Sequence, residues 1–272
     1  MFKKIIKFIL PFFIINIINR ILKRNIAIIG NYSSWKKALE NSTGYNDDKI
    51  FLKLKESFLK ILDGKAQYER DTVLFYEKKI NYPLIQIINQ VRVKLKKKID
   101  ILDFGGSFAS IYFQNKSILK NNLFYSWSVV EQKKIIKYAT SKQIYKRLIR
   151  LYDNLYFYPC LINFYKYHNP DLALFSGVLQ YLKQPYDVLQ SLIEKKVKYI
   201  LILRTPLHDQ QEQIMVQIVP KSIYKSSYPI RIFNDKDFLN FFKNHNYKRV
   251  KIDLKDEIIS NYRHTNILFK LK

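Results

Sequence analysis

This chain has little of what braces many proteins covalently or through metals. One cysteine in 272 residues, Cys160, excludes an internal disulfide framework and points to a reducing compartment. The four histidines, His168, His208, His245 and His264, are scattered without zinc-ligand spacing, so no metal site is expected. Long apolar runs are missing as well. The uncharged stretch from Phe8 to Ile18 falls short of the ~20 apolar residues a spanning helix needs, and no small-x-small cleavage site follows it. Acids are scarce: 22 against 48 lysines and arginines, for a formal charge of +26. Such a surplus attracts polyanions. Yet lysine supplies 38 of the 48 and is spread along the whole chain, with no arginine-rich cluster interleaved with aromatics. The charge reads as solvated faces, and no nucleic-acid partner is expected.

What is present is a 48% hydrophobic composition, enough to bury a full core, and a paired pattern of strand ends. Asp100-Ile101-Leu102-Asp103 runs into Phe104-Gly105-Gly106-Ser107, and Trp127-Ser128-Val129-Val130 ends in Glu131. A buried strand opening into a helix needs an apolar run that stops at glycine, because adjacent glycines let the backbone approach a ligand where a side chain would collide. An acid closing the next strand falls beside the ligand's ribose. The pair predicts the nucleotide-binding half of a doubly wound α/β fold and an adenosine-containing cofactor.

Organisation supports this. Met1 to Arg24 carries Lys3, Lys4, Lys7, Arg20, Lys23 and Arg24 around an apolar face of Phe12, Phe13, Ile14, Ile17, Ile18, Ile21 and Leu22. It reads as an amphipathic helix, either held on an anionic membrane surface or docked on the protein's own core. Residues 25–98 are expected to be mainly helical, a cap region with starts near Ser33-Ser34-Trp35 and Asn46-Asp47-Asp48 and a stop at Gly64. Tyr68-Glu69-Arg70-Asp71 interrupts it with charge, as a solvated surface or as the lip of a cleft. From residue 99 to 272, strands (Ile99–Phe104, Ser126–Val130, Leu155–Tyr158, Leu172–Phe175, Tyr199–Leu203) alternate with helices, notably Gln132–Leu151 and Tyr186–Lys196. Val250–Leu254 and Ile267–Leu271 suit antiparallel terminal strands, and Leu207–Asn234 reads as a long inserted loop over an acceptor site, carrying Tyr224, Ser226, Ser227, Tyr228 and Arg231. The alternation predicts a Rossmann-like, mostly parallel sheet with ligands at the carboxyl ends of the strands.

Asp103-Phe104-Gly105-Gly106-Ser107-Phe108-Ala109, together with Gly30-Asn31-Tyr32-Ser33-Ser34-Trp35, Ser42-Thr43-Gly44-Tyr45, Tyr68-Glu69-Arg70-Asp71, Val129-Val130-Glu131-Gln132, Leu179-Gln180-Tyr181-Leu182, Arg204-Thr205-Pro206 and Ser227-Tyr228-Pro229, resembles in order the blocks of a family of S-adenosylmethionine-dependent methyltransferases associated with lipopolysaccharide and O-antigen gene clusters. The resemblance implies the class I methyltransferase fold, S-adenosylmethionine as cofactor, a small-molecule or lipid-linked sugar as acceptor, and a cytoplasmic protein with possible contact with the membrane's inner face through residues 1–24. It assigns cofactor binding to Asp103, Gly105, Gly106, Ser107 and Glu131, and to Ser176, Gly177 and Gln180 after the fourth strand. Ala109 departs from the pattern, standing where relatives have a third glycine.

For the reaction, Tyr181, His208 and Asp209 are the candidates. A phenol can orient an acceptor, and a base just beyond the fifth strand can take a hydroxyl proton. Arg204 and Arg231 could pair with an anionic acceptor. Two other classes stay open. Nicotinamide chemistry is opposed by the missing third glycine and the lack of a Tyr-x-x-x-Lys pair; a non-catalytic scaffold fits the basic N-terminus and the lack of an assured base.

Overall fold

The computed structural model describes residues 26–44, 48–120, 125–220, 225–259 and 262–272. The N-terminal amphipathic segment and Tyr224 therefore lie outside the described residues.

The first part of the chain gives β1 (Ala27–Ile29), α1 (Trp35–Glu40), α2 (Asp48–Leu62), the hairpin β2 (Tyr68–Arg70) and β3 (Val73–Phe75), and α3 (Tyr82–Leu95). Local signals set these limits. The Ser34 side chain accepts from the Lys37 amide at 3.2 Å to cap α1. Asn81 accepts from the Leu84 amide at 3.2 Å ahead of a proline in the first turn of α3. Besides these three helices, the segment expected to be mainly helical contains three short strands.

Next come β4 (Ile99–Phe104), α4 (Ser110–Gln114), α5 (Lys116–Leu119), β5 (Tyr125–Val130), α6 (Lys133–Ala139), α7 (Lys142–Leu151), β6 (Leu155–Tyr158), α8 (Leu161–Tyr165), β7 (Leu172–Ser176), α9 (Pro185–Glu194) and β8 (Tyr199–His208). The chain closes with β9 (Gln213–Val219), β10 (Ser226–Asn234), α10 (Asp235–Asn244), β11 (Tyr247–Val250), β12 (Glu257–Ile259) and β13 (Tyr262–Leu271).

Strands β6, β5, β4, β7 and β8 lie side by side in parallel, and β13 runs antiparallel on the far side of β8. This is the mixed, mostly parallel sheet expected of a Rossmann-like methyltransferase fold. Its strands are apolar runs because both faces are covered. Alternate residues feed opposite layers: Ile101, Leu174 and Leu201 join Phe58, Leu84 and Ile88 of α2 and α3, while Leu102, Ala173, Phe175 and Ile202 join Leu189, Leu192, Phe238 and Phe242 of α9 and α10. Each fully buried large side chain contributes ~1.5–3 kcal/mol, so these two layers dominate the fold's stability.

Strand order also places the site. The chain steps outward from β4 to β5 and β6, then returns past β4 to β7 and β8, which leaves a crevice at the carboxyl ends of β4 and β7 where the order reverses.

Four expectations are corrected here. The helix read over Gln132–Leu151 is two helices, broken where the Thr140 and Ser141 hydroxyls bond back to the Ile136 and Tyr138 carbonyls. The strand read at Val250–Leu254 ends at Val250, and pairing with β13 resumes only at Glu257. The inserted loop Leu207–Asn234 is largely a β-hairpin. The fifth parallel strand, β8, does not stop at Leu203: its last partner on β7 is Ser176, opposite Leu203, yet it runs on to His208. On the side that β7 vacates, β10 takes over, pairing Phe233 with Leu207 and Asn234 with His208. β9 pairs with β10, and β1 with the outer edge of β9. Burial of Val216, Ile230 and Ile232 holds the hairpin as sheet, so that it overhangs the strand ends as a wall.

Candidate functional site

Under that overhang lies a cavity of about 930 Å³, bordered by the ends of β4, β5, β7 and β8, the β2–β3 hairpin, β9, β10 and β13. Asp103, Gly105, Gly106, Ser107, Glu131, Ser176, Gly177, Gln180 and Tyr181 all border it. The structure thus brings together the whole set of residues assigned to cofactor binding.

Asp103 is fully buried. Its Oδ2 accepts from Trp127 Nε1 at 3.1 Å, and Oδ1 has no partner among the described residues. Burial pushes its carboxyl up to about 7; the Trp127 hydrogen bond opposes this and the neighbouring Glu131 adds to it. The glycines are needed at this spot. Gly105 sits at φ +72°, and a Cβ there would stand 2.3 Å from Val178 Cγ2; one on Gly106 would stand 2.5 Å from Asp103 Oδ2. The turn then uses Ser107 at φ 54° and Ala109 at φ 63°. Left-handed backbone costs a non-glycine residue roughly 1–2 kcal/mol, so the alanine in the third-glycine position keeps the turn at some expense.

Glu131 fastens the turn to the second strand end. Its Oε2 accepts from the Ser107 amide at 3.0 Å and its Oε1 from the Gln132 amide at 2.7 Å. Burial raises its pKa, while these two amides favour the carboxylate. An ionised carboxylate has about four acceptor positions, so two remain for a vicinal diol.

Past β7, Gly177 (φ +65°) lies under the Arg204 guanidinium, and Ser176 receives Arg204 Nε through its hydroxyl at 3.4 Å and Nη2 through its carbonyl at 3.3 Å. Gln180 is buried; its Nε2 donates to the Arg204 carbonyl at 3.2 Å, and its Oε1 has no partner among the described residues. The Tyr181 hydroxyl donates to Gln217 Oε1 at 2.9 Å, Gln217 Nε2 donates to the Tyr228 hydroxyl at 3.0 Å, and the two tyrosine rings meet edge to face at 5.3 Å. This network seats the short turn over Leu179–Tyr181 against the overhanging hairpin.

His208 and Asp209 do not border the cavity. Because β8 continues through Arg204, Thr205 and Pro206, it carries His208 away to pair with Asn234, with its ring 6.3 Å from that of Tyr262, and it leaves Asp209 exposed. Arg231 is likewise placed elsewhere: it pairs with Glu212, donates to the Lys183 carbonyl at 3.0 Å and lies over the Trp35 ring.

Other groups take their place. Glu69, Arg70, Asp71 and Thr72 reach the cavity from the β2–β3 hairpin. Glu69 is 2% exposed, accepts from Ser110 Oγ and from the Thr72 amide at 2.9 Å, and is pushed by burial up to about 7. Arg70 Nη2 donates to Gln114 Oε1 at 3.3 Å. The hairpin is therefore tied to α4, the helix that follows the glycine turn. His264 of β13 is buried with Nδ1 3.2 Å from the Arg204 carbonyl. A carbonyl only accepts, so Nδ1 carries the proton and Nε2 is a bare acceptor; burial keeps the ring's pKa below the ordinary value. The charge cluster at Tyr68–Asp71 reads in sequence as a solvated surface or the lip of a cleft; Glu69, Arg70 and Asp71 border the cavity, on a hairpin that the pattern did not announce. No sequence signal marked His264, Gln217 or Asn266, which reach the cavity through long-range pairing.

No protein-family model and no curated protein sequence matches this chain. Among solved structures it is similar to the 1,6-didemethyltoxoflavin-N1-methyltransferase of Burkholderia thailandensis with bound 1,6-didemethyltoxoflavin and S-adenosylhomocysteine, at 10% identity over 91% of this chain and 95% of that one, TM-score 0.44. It is similar also to the N-terminal domain of EvdMO1 in the presence of S-adenosylhomocysteine and D-fucose (11% identity, 84% and 98% covered, TM-score 0.48). A third is the magnesium protoporphyrin IX methyltransferase of Synechocystis with S-adenosylhomocysteine (11% identity, 84% and 96% covered, TM-score 0.46). Likeness at this distance carries no chemistry over, because chemistry resides in the site rather than the outline.

Proposed function

We propose that this chain is an S-adenosylmethionine-dependent methyltransferase acting on a small polar acceptor. The observation that carries the reading is the cradle at the switch point. Gly105 and Gly106, with no Cβ, let the turn pack directly on Val178 and Asp103, Asp103 keeps one oxygen with no partner among the described residues, and Glu131 is locked to the Ser107 amide with acceptor positions to spare. These residues fit the group. Glu131 would hold the ribose hydroxyls, the glycine turn the chain linking ribose to sulfur, and Asp103 the positive end of the amino-acid portion.

When bound, the cofactor supplies an electrophilic methyl on a sulfonium. What this chain adds is placement. In-line transfer gains most of its rate from holding the two partners in register and excluding water. The β2–β3 hairpin on one side and the Tyr181–Gln217–Tyr228 network on the other make a walled chamber for that purpose. In this reading the acceptor is a sugar on a nucleotide- or lipid-linked precursor of a surface polysaccharide, met in the cytoplasm or at the membrane's inner face; the ordered sequence blocks support it.

Titration calorimetry with S-adenosylmethionine, S-adenosylhomocysteine and NAD decides the cofactor. Micromolar binding of the first two without NAD is expected. Binding of NAD alone would replace the reading with nicotinamide chemistry, and binding of none would leave a scaffold.

A further inference from the structure

Arg204 borders the cavity on a tightly held stretch of backbone. It sits at φ 55° in β8, at a bulge: Thr205 pairs with Thr265 and Ile202 with Ile267, so two residues of β8, Leu203 and Arg204, face the single Asn266 of β13. Bulges re-aim side chains, and left-handed backbone at a non-glycine residue persists only where the surroundings over-determine it. Three side chains do so here. Asn266 Oδ1 accepts from the Arg204 amide at 3.1 Å, and both Gln180 Nε2 and His264 Nδ1 donate to its carbonyl at 3.2 Å. The guanidinium that this apparatus aims is itself held loosely. Its contacts to Ser176 Oγ, Ser176 O and Asp71 Oδ2 are 3.4, 3.3 and 3.4 Å, and Asp71 is a largely exposed residue at the hairpin tip.

A rigidly clamped backbone carrying a loosely partnered fork of donors suits an oxyanion, carboxylate or phosphate, that offers two oxygens side by side. We propose that Arg204 binds the carboxylate or phosphate oxygens of a ligand in the cavity, with Asp71 as the exchangeable partner it gives up. The anion can come from the amino-acid end of the cofactor or from the acceptor. The first source rests on the methyltransferase reading, and the second stands without it.

The test uses the full chain, with R204Q, R204K and D71N, each checked for folding by thermal unfolding. The calorimetric probes are S-adenosylhomocysteine, 5′-methylthioadenosine, which lacks the amino-acid carboxylate, and inorganic phosphate. A loss of about tenfold or more on R204Q for S-adenosylhomocysteine with 5′-methylthioadenosine unchanged assigns Arg204 to the cofactor carboxylate. The same loss for inorganic phosphate alone assigns it to an acceptor anion. In either case R204K recovers only part of the affinity and D71N tightens the sensitive probe by a few-fold, because the competing carboxylate is gone. The proposal is overturned if R204Q changes neither probe, or if D71N weakens binding as R204Q does, which would make the pair only a clasp for the hairpin. If neither adenosine compound binds the wild type, the methyltransferase reading fails and the phosphate result alone decides Arg204.

Discussion

Gly106→Ala is expected to lower the affinity for S-adenosylhomocysteine by about a hundredfold or more in a chain that still folds. The added Cβ would stand 2.5 Å from Asp103 Oδ2, and that carboxyl has nowhere to go: it is fully buried and held by Trp127 Nε1. The turn must move instead. It is pinned by the Gly105 amide to the Val130 carbonyl at 2.8 Å and by the Ser107 amide to Glu131 at 3.0 Å, so displacing it shifts both of the proposed cofactor contacts at once. Weakening two hydrogen-bonded contacts by about 1.5 kcal/mol each lowers affinity on the order of a hundredfold. Gly64→Ala is the control. Gly64 also has positive φ, +72°, but a Cβ there meets nothing within 4 Å, so strain of about 1 kcal/mol is expected without loss of binding. Wild-type affinity in Gly106→Ala would show that the turn does not cradle the ligand.

The second large effect is a pH dependence. Burial raises the carboxyls of Asp103 and Glu69 up to about 7. Between the ordinary carboxylate value and about 7 the folded state therefore binds more protons than the unfolded state. The stability associated with each group is complete below the ordinary value and is lost as pH rises through about 7, by up to roughly 4 kcal/mol apiece. Asp103→Asn removes one share: its Tm should exceed that of the wild type by roughly 5–10 °C at pH 8 and by little at pH 4. Ligand binding carries the opposite slope. If S-adenosylmethionine binds as proposed, it brings positive charge beside Asp103, which favours the carboxylate, so its affinity should rise with pH through about 7 and binding should release a proton, measurable by calorimetry in buffers of different ionisation enthalpy. Asp103→Asn should flatten this dependence. A Tm advantage independent of pH, or proton uptake on binding, would contradict the assignment.

Much of this was legible in the sequence because local rules agreed with the fold. β4 begins and ends where the apolar run over Ile99–Phe104 does, and the residues proposed to hold the cofactor follow from strand ends, where chemistry and backbone direction are tied to sequence position. The substrate side was hidden for an equally physical reason. Whether β8 stops at Leu203 or runs to His208 depends on which strand is available as a neighbour, and that neighbour, β10, lies about 25 residues on and pairs only through its last two positions. The extra residues displaced His208 from the cavity and left Arg204 aimed into it from the bulge. His264 entered because β13 lies against β8, a contact no local pattern announces.

The most direct test of the central claim is a crystal structure of the full chain with S-adenosylhomocysteine. The account predicts ribose hydroxyls within hydrogen-bonding distance of the Glu131 carboxylate, with the homocysteine portion along Gly105 and Gly106 beneath the β9–β10 overhang. Density for the ligand anywhere else, with Glu131 still bonded only to the Ser107 and Gln132 amides, would contradict it.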